Sequence, residues 1–189
     1  MTTQLSEKVK ELITKARIVS FSSWESEYLP EIITIFQMAD DEGRYLTDRD
    51  LETIGSLSPQ SVSKLEIARQ LRDLAPDIVS EAREQVLTQF PGITEPGGAL
   101  YPEVRSESCW RDFWHFLRCV SYGVAGERTD FLSESGMHYM ELLYQELKVP
   151  LDAMLCGLEG LKNSSCKRSP AANLAPYFDR LISDMTRFT

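Results

Sequence analysis

The sequence has no long apolar run and little cysteine or histidine. No apolar stretch approaches the roughly 18–20 residues that a membrane-spanning helix needs, and residues 1–19 lack the apolar centre of a secretory signal. Four cysteines are too few for a disulfide-stabilised scaffold. With two histidines and no Cys-x-x-Cys pair, a zinc site is not expected. We therefore expect a protein of the cytosol, or of the equivalent compartment of an organelle.

Basic residues are also in short supply. Lys and Arg together number 20 against 29 Asp and Glu, which gives a net charge of −9. Proteins that grip nucleic-acid phosphates need a basic face, so this balance argues against nucleic acid as the partner. The chain shows no nucleophile–His–acid set, no metal-ligand spacing and no phosphate-binding loop, so we do not expect an enzyme.

Helical periodicity dominates the chain, and no stretch alternates strongly enough to require a strand. The apolar spacing predicts helices over the segments 5–17, 30–41, 58–75, 76–90, 102–124, 130–147 and 150–162, with one starting after Thr47 and one closing the chain. "PGITEPGG" and "KNSSCKRSP" are predicted loops. Helices of such uneven length favour an all-α, globin-like domain over an up-and-down bundle.

Two helix starts carry sequence signals of their own. Thr47 with Asp50 three residues later predicts a capping box. Ser58 followed by Pro59 predicts an N-cap and a first helical residue.

The helix over 102–124 places unlike side chains on one face. At spacings of four, three and four, that face holds Arg105, Cys109, Asp112 and Phe116, over roughly 16 Å. A cation, a thiol and a carboxylate in line suit an elongated ligand with acid groups and N–H donors, to which the thiol could bond. Arg111 lies on the other side and would have to reach across the helix edge. The alternative is an amphipathic helix with a buried free cysteine and a surface Arg–Asp pair.

Four segments carry a resemblance to a known family. The strongest is "PGGALYPEVRSESCWRDFWHFLRCVSYGVAG" at 96–126, and the others are "IITIFQMADDEGRYLTDRDLETI", "YQELKVPLDAMLCGLEGLK" and "YFDRLISDM". In this order they resemble the phycobiliproteins, the light-harvesting subunits of phycobilisomes. The similarity runs from about residue 30 to the end of the chain.

This resemblance implies a globin-like domain over 30–189, with 30–45 as dimerisation helices and 1–29 as an additional N-terminal helical arm. It implies a light-harvesting subunit that pairs with other phycobiliprotein subunits, as an α/β-type heterodimer or a homodimer, and meets linker proteins or a bilin lyase. The expected place is the phycobilisome on the cytoplasmic or stromal side of the thylakoid membrane, peripheral to the membrane at most.

The resemblance also implies roles for single residues. Cys109 would attach phycocyanobilin or another bilin, a linear tetrapyrrole, through a thioether. Asp112 would accept hydrogen bonds from the central pyrrole N–H groups. Arg111 and Arg105 would pair with the propionates, and Tyr122 would line the pocket.

Cys166 stands shortly before "YFDR", where the resemblance is to β-type subunits that carry a second bilin on a similarly placed cysteine. A second attachment at Cys166 is therefore one prediction, and a surface thiol in a loop is the other. Cys119 and Cys156 sit on apolar helix faces and are predicted to be core residues.

Departures from the family pattern favour a second function. Ala99 replaces the usual Asn after Pro-Gly-Gly, "SES" precedes the cysteine, and Trp110 and Trp114 are bulky. The alternative is a chromophore-free, phycobiliprotein-like interaction protein in phycobilisome assembly, regulation or turnover. Indole rings that filled the flank beside Cys109 would leave no room for four pyrroles and would contradict pigment binding.

Overall fold

The fold is built from helices. The computed structural model describes residues 5–189, and the first four residues of the predicted arm lie outside this range. Within it the α-helices are α1 Glu7–Lys15, α2 Pro30–Asp41, α3 Asp48–Leu57, α4 Val62–Asp73, α5 Ala75–Gln89, α6 Glu103–Ala125, α7 Glu134–Leu147, α8 Leu151–Arg168 and α9 Ala175–Met185. None of these helices is long and apolar enough to cross a membrane. The predicted all-α class is confirmed, with nine α-helices in the described range.

The two predicted helix starts have different outcomes. The capping box is confirmed, because Thr47 Oγ1 accepts from the Asp50 N–H at 3.1 Å and the Asp50 carboxylate accepts from the Thr47 N–H at 2.8 Å. The Ser58 cap is wrong. Pro59 opens a short 3₁₀ turn without a side-chain cap, and α4 begins only at Val62.

The predicted polar loop "KNSSCKRSP" is wrong up to Arg168, because α8 continues through it. Tertiary contacts hold this last part in helical form. The Glu81 carboxylate of α5 accepts hydrogen bonds from Ser164 Oγ at 2.7 Å and from Arg168 Nη1 and Nη2 at 3.0 and 2.6 Å. The bond from Arg168 has the largest effect and that from Ser164 the next, and they lower the pKa of Glu81 to about 2. Ser164 and Arg168 therefore face a partner across the α5–α8 contact, and the segment up to Arg168 is helix rather than loop.

Two glycines let α8 approach its neighbours closely. A Cβ at Gly160 would stand 2.8 Å from the Ala82 Cα of α5. At Gly157 a Cβ would overlap the ring of Phe113 in α6. This packing brings the first turns of α8, with the fully buried Met154, against the amino-terminal half of α6.

Residues 5–29 pack against the rest of the chain. In α1 the buried Val9 and Leu12 face α7. The following segment pairs with 131–133, where Ser20 N–H donates to the Phe131 carbonyl at 3.0 Å and Ser133 N–H donates to that of Ile18 at 2.7 Å. Residues 18–24 supply buried side chains to the common hydrophobic core. The predicted division at residue 29 stays a prediction.

Candidate functional site

Cys109 lies in the first half of α6 with its side chain turned into the protein. The residue is 5% exposed, and its thiol donates to Met154 Sδ at a distance of 2.9 Å. Burial raises the pKa of the Cys109 thiol to about 12, and the nearby Asp112 carboxylate adds to the effect. In this state the sulfur is covered and almost entirely protonated at neutral pH.

Asp112 stands one turn further along α6 and is partly buried. Within residues 5–189 its carboxylate has no hydrogen-bonding or ion-pairing side chain. Burial raises the pKa of Asp112 to about 6, against the opposing charge of Arg111. The Arg111 side chain is exposed, and among residues 5–189 it makes only a long bond to Ser108 Oγ at 3.4 Å. Both groups of the Arg111–Asp112 pair are therefore available to a ligand.

Tyr144 of α7 completes the group, and the sequence reasoning missed it. The residue is 7% exposed, and its buried hydroxyl has no hydrogen-bond partner among the described residues. Burial, then the charges of Asp112 and Cys109, raise the pKa of Tyr144, which shows that the three groups are in electrostatic reach of one another. A buried hydroxyl without a partner is costly and indicates a missing one. Tyr144 opens the matched segment "YQELKVPLDAMLCGLEGLK", which was the available signal.

The Arg105 guanidinium donates hydrogen bonds to three backbone carbonyls. Its Nη2 donates to the carbonyls of Leu147 and Lys148, both at 3.1 Å, and its Nε donates to that of Ala99 at 3.2 Å. The side chain thus ties the start of α6 to the end of α7 and to the preceding loop. A propionate at Arg105 would compete with these carbonyls, whereas Arg111 has no such partners.

Tyr122 lies more than three turns beyond Cys109 on α6, roughly 20 Å along the helix axis. It is fully buried, and its hydroxyl accepts from Arg118 Nη1 at 2.7 Å and donates to the Arg44 carbonyl. Its ring packs against those of Phe21 and Phe36. The structure does not bring Tyr122 together with Cys109.

The contacts of the two indole rings on α6 are with groups other than the Cys109 thiol. The Trp110 ring packs against Phe113 and lies under the Arg83 guanidinium of α5, 5.4 Å from the ring centre. Trp114 packs edge-on against Tyr45, with ring centres 4.8 Å apart. The side chain in contact with the Cys109 sulfur is that of Met154.

The other cysteines lie elsewhere. Cys166 is partly buried in the last turns of α8, at the opposite end of that helix from Met154, and is helical rather than in the predicted loop. Burial raises its pKa, and Lys162 partly offsets this. Cys119 is fully buried, as predicted, and Cys156 is partly buried. Within residues 5–189 no three Cys, His, Asp or Glu side chains are arranged to hold a metal ion.

A cleft of about 560 Å³ opens beside the site, between the end of α5, the loop before α6 and the first turn of α8. Its walls include Ala99 and the residues 150–153. Cys109 does not line it. Ala153 belongs to the cleft wall, and the next residue, Met154, covers the sulfur.

Replacing Asp112 with asparagine is expected to change how stability depends on pH in the pigment-free chain. Because the folded-state pKa of about 6 exceeds the ordinary 3.8, the folded chain binds a proton more tightly than the unfolded chain. Asp112 therefore favours folding at low pH, and this contribution is lost as pH rises through about 6. Between pH 5 and pH 7 the stability of wild type relative to Asp112→Asn should fall by about 1 kcal/mol. Urea titrations at both pH values measure the difference.

His115 also changes protonation in this pH range, but its effect on stability is the same in both proteins. Burial and the charges of Arg118 and Arg111 lower the pKa of His115 to about 4, so it weakens folding as pH falls below about 6.5. Its contribution is common to wild type and to Asp112→Asn and cancels in their difference. An unchanged difference between pH 5 and pH 7 would contradict the raised pKa of Asp112.

Comparison with known proteins places the chain. A family model described as phycobilisome protein matches residues 34–185. An allophycocyanin alpha chain of Galdieria sulphuraria is 34% identical over 150 residues, covering 78% of this chain and 93% of that one. That of Cyanophora paradoxa is 35% identical over 149 residues, covering 77% and 92%. Allophycocyanin subunit alpha-B of Nostoc sp. is 32% identical over 158 residues, covering 82% and 98%. The chain belongs to the phycobilisome protein family.

Proposed function

We propose that this chain is a phycobilisome light-harvesting subunit that carries a linear tetrapyrrole on Cys109. The observation that carries the proposal is a group of three unlike side chains, two of them buried and one partly buried. A thiol, a carboxylate without a partner and a hydroxyl without a partner come together at Cys109, Asp112 and Tyr144. Two of them lie on α6 inside the matched segment, and the third comes from α7.

Family membership supports the wider setting of this proposal. The family has a globin-like all-α fold, which confirms the predicted fold class, and it supports a light-harvesting role and a bilin such as phycocyanobilin as cofactor. By the same likeness, the partners would be other phycobiliprotein subunits, and the place would be the phycobilisome at the cytoplasmic side of the thylakoid. We do not propose that this site catalyses a reaction.

The residues of the site fit such a group. The Asp112 carboxylate can accept pyrrole N–H bonds, and its negative charge favours a protonated, cationic form of the pigment. The exposed guanidinium of Arg111 can pair with a propionate at the rim. The Tyr144 hydroxyl gains the partner that it lacks. When bound, the pigment supplies absorption of visible light and onward transfer of the excitation.

One observation favours the alternative of a chromophore-free interaction protein. The thiol is covered by Met154, and its pKa of about 12 leaves almost no thiolate at neutral pH. Arg105 is occupied by backbone carbonyls. A chain that stays in this state would keep the family's shape without its pigment.

Co-expression with a bilin supply and bilin lyases separates the two functions. We expect the purified wild-type chain to gain the mass of one tetrapyrrole and to give zinc-induced fluorescence in a denaturing gel. Cys109→Ser should lose both signals completely, because no thioether can form. Cys166→Ser is the matched control and should keep them.

A colourless wild-type chain of unmodified mass, with lyases present, would overturn the proposal. The interaction role then predicts binding to other phycobiliprotein subunits at micromolar concentration. Loss of the signal in Cys166→Ser together with its retention in Cys109→Ser would move the attachment to the end of α8.

A further inference from the structure

We propose that Met154 is a removable cover that decides when, and to which ligand, the Cys109 thiol becomes reactive. The inference rests on the proposed function, because covering the thiol has a consequence only if the thiol binds a ligand. It assigns to Met154 a role in the selectivity of attachment that is separate from holding the pigment.

The first support is the contact between the two sulfur atoms. Cys109 Sγ and Met154 Sδ are 2.9 Å apart, and Met154 is fully buried. In this contact the thiol is the donor, and the thioether is a weak acceptor. An electrophile that approaches the sulfur along this direction meets the Met154 side chain first.

The second support is that Tyr144 points to a ligand independently of the cysteine. Its hydroxyl is more than nine-tenths buried and lacks a hydrogen-bond partner in the described chain, while the carboxylate of Asp112 is equally without one. A covered thiol near two polar groups that lack partners among the described residues indicates a closed ligand site. The neighbouring side chains of the protein do not satisfy these two groups.

The third support is that Met154 can leave without unfolding α8. Methionine has three rotatable side-chain bonds and adapts readily to irregular space. One turn later, Gly157 packs closely against Phe113, so α8 also contacts α6 at a point other than Met154. The cleft of about 560 Å³ begins at the neighbouring Ala153 and offers space on that side.

The chemistry of uptake needs no further reactant. The S–H of Cys109 adds across an exocyclic C=C of the ligand, so that a C–S bond forms as the π bond is used. The proton goes to the adjacent carbon, nothing leaves and nothing is oxidised or reduced. Met154 takes no part in the bonding. Thioether formation then requires a ligand that is large and apolar enough to displace the Met154 side chain. The same side chain prevents small electrophiles from reaching the thiol.

The test measures Cys109 alkylation by iodoacetamide in the folded, pigment-free chain, with each cysteine followed by peptide mass spectrometry. Met154→Ala should accelerate modification of Cys109 by at least about tenfold, because uncovering lets reagent and base reach the sulfur. Met154→Leu, which keeps most of the volume, should stay within about threefold of wild type. Cys156 and Cys166 in the same samples should keep their wild-type rates.

Met185→Ala is the matched control, since it removes the same side chain from a fully buried position in α9. It should leave the Cys109 rate unchanged. Should Met154→Ala lower the stability too far, Met154→Val removes less volume and should still give about a fivefold acceleration, beyond the range expected for Met154→Leu. An unaltered Cys109 rate in Met154→Ala, or equal acceleration in Met185→Ala, would overturn the cover.

A second arm of the experiment keeps this inference apart from the proposed function. Wild type and Met154→Ala are each mixed with free bilin and bilin lyases, and covalent loading is followed over time. Faster loading of Met154→Ala supports the cover. If neither chain takes up bilin although Met154→Ala alkylates faster, the cover stands and the pigment function fails.

Discussion

Replacing Trp24 with alanine is expected to lower the free energy of unfolding by about 3–5 kcal/mol, the usual cost of removing a fully buried indole. Trp24 lies before α2, outside the segment matched by the family model, yet it is 0% exposed. The loss should appear as a lower urea midpoint in a cooperative transition of the whole chain. The expected result therefore assigns residues 18–24 to the folding unit rather than to a separate arm.

The contacts of Trp24 explain the size of this effect. Its ring packs edge-on against Phe21 and Phe36, at 5.0 and 5.1 Å between ring centres. Its Nε1–H donates to the Asp130 carbonyl at 3.2 Å. The indole lies directly on Gly126, where a Cβ would overlap it. Alanine would leave a cavity between α2 and the end of α6 and would leave the Asp130 carbonyl with only its bond from Ser23 Oγ, at 3.2 Å.

Ile13→Ala is the control from the same part of the chain. Ile13 belongs to α1 but is 46% exposed, so its replacement should change stability by no more than about 0.5 kcal/mol. A loss below about 1 kcal/mol in Trp24→Ala would mean that residues 18–24 detach from the core without consequence.

Asp40→Asn should cost a similar amount, about 3–5 kcal/mol, because it leaves a buried guanidinium without its counter-charge. Asp40 is 6% exposed and Arg118 is 8% exposed. One carboxylate oxygen accepts from Arg118 Nη1 at 2.9 Å, and the other accepts from Arg17 Nη2 at 2.7 Å. Urea unfolding at pH 7 measures the loss.

The neighbouring residue supplies a close control. Asp41 accepts from the same Arg17 guanidinium at 2.8 Å but is exposed, and exposed ion pairs contribute about 0–1 kcal/mol. Asp41→Asn should therefore have little effect. Equal losses in Asp40→Asn and Asp41→Asn would contradict the importance of burial.

A double substitution tests whether the cost comes from the unpaired charge. Asp40→Asn combined with Arg118→Leu removes both charges and should destabilise by clearly less than the sum of the two single losses. Additive losses would instead indicate two independent packing effects. The pair joins α2 to α6, so it also fixes the segment 30–45 that is predicted to mediate dimerisation.

Signals that act over one helical turn could be read from the sequence. The Thr47–Asp50 capping box depends on neighbours three residues apart, and the structure contains it. The spacing of Cys109 and Asp112 placed both on one face of α6, where they are in electrostatic reach. Such features need only helix geometry, which the local sequence specifies.

Features that depend on partners far along the chain could not be read in this way. Polar residues 163–168 suggested a loop, but their helix is held by Glu81, more than 80 residues away. Tyr122 shares α6 with Cys109, yet helix length separates them, and Tyr144 from α7 takes the place near the thiol.

The sequence by itself determined the helical class, the family and the side chains that α6 presents, because periodicity and motifs are properties of neighbouring residues. Only the tertiary structure decided that the thiol is covered. Met154 reaches Cys109 across 45 residues of chain, and Gly157 of α8 lets this helix pack closely against α6. Close packing of distant segments sets burial, and burial sets whether a thiol reacts.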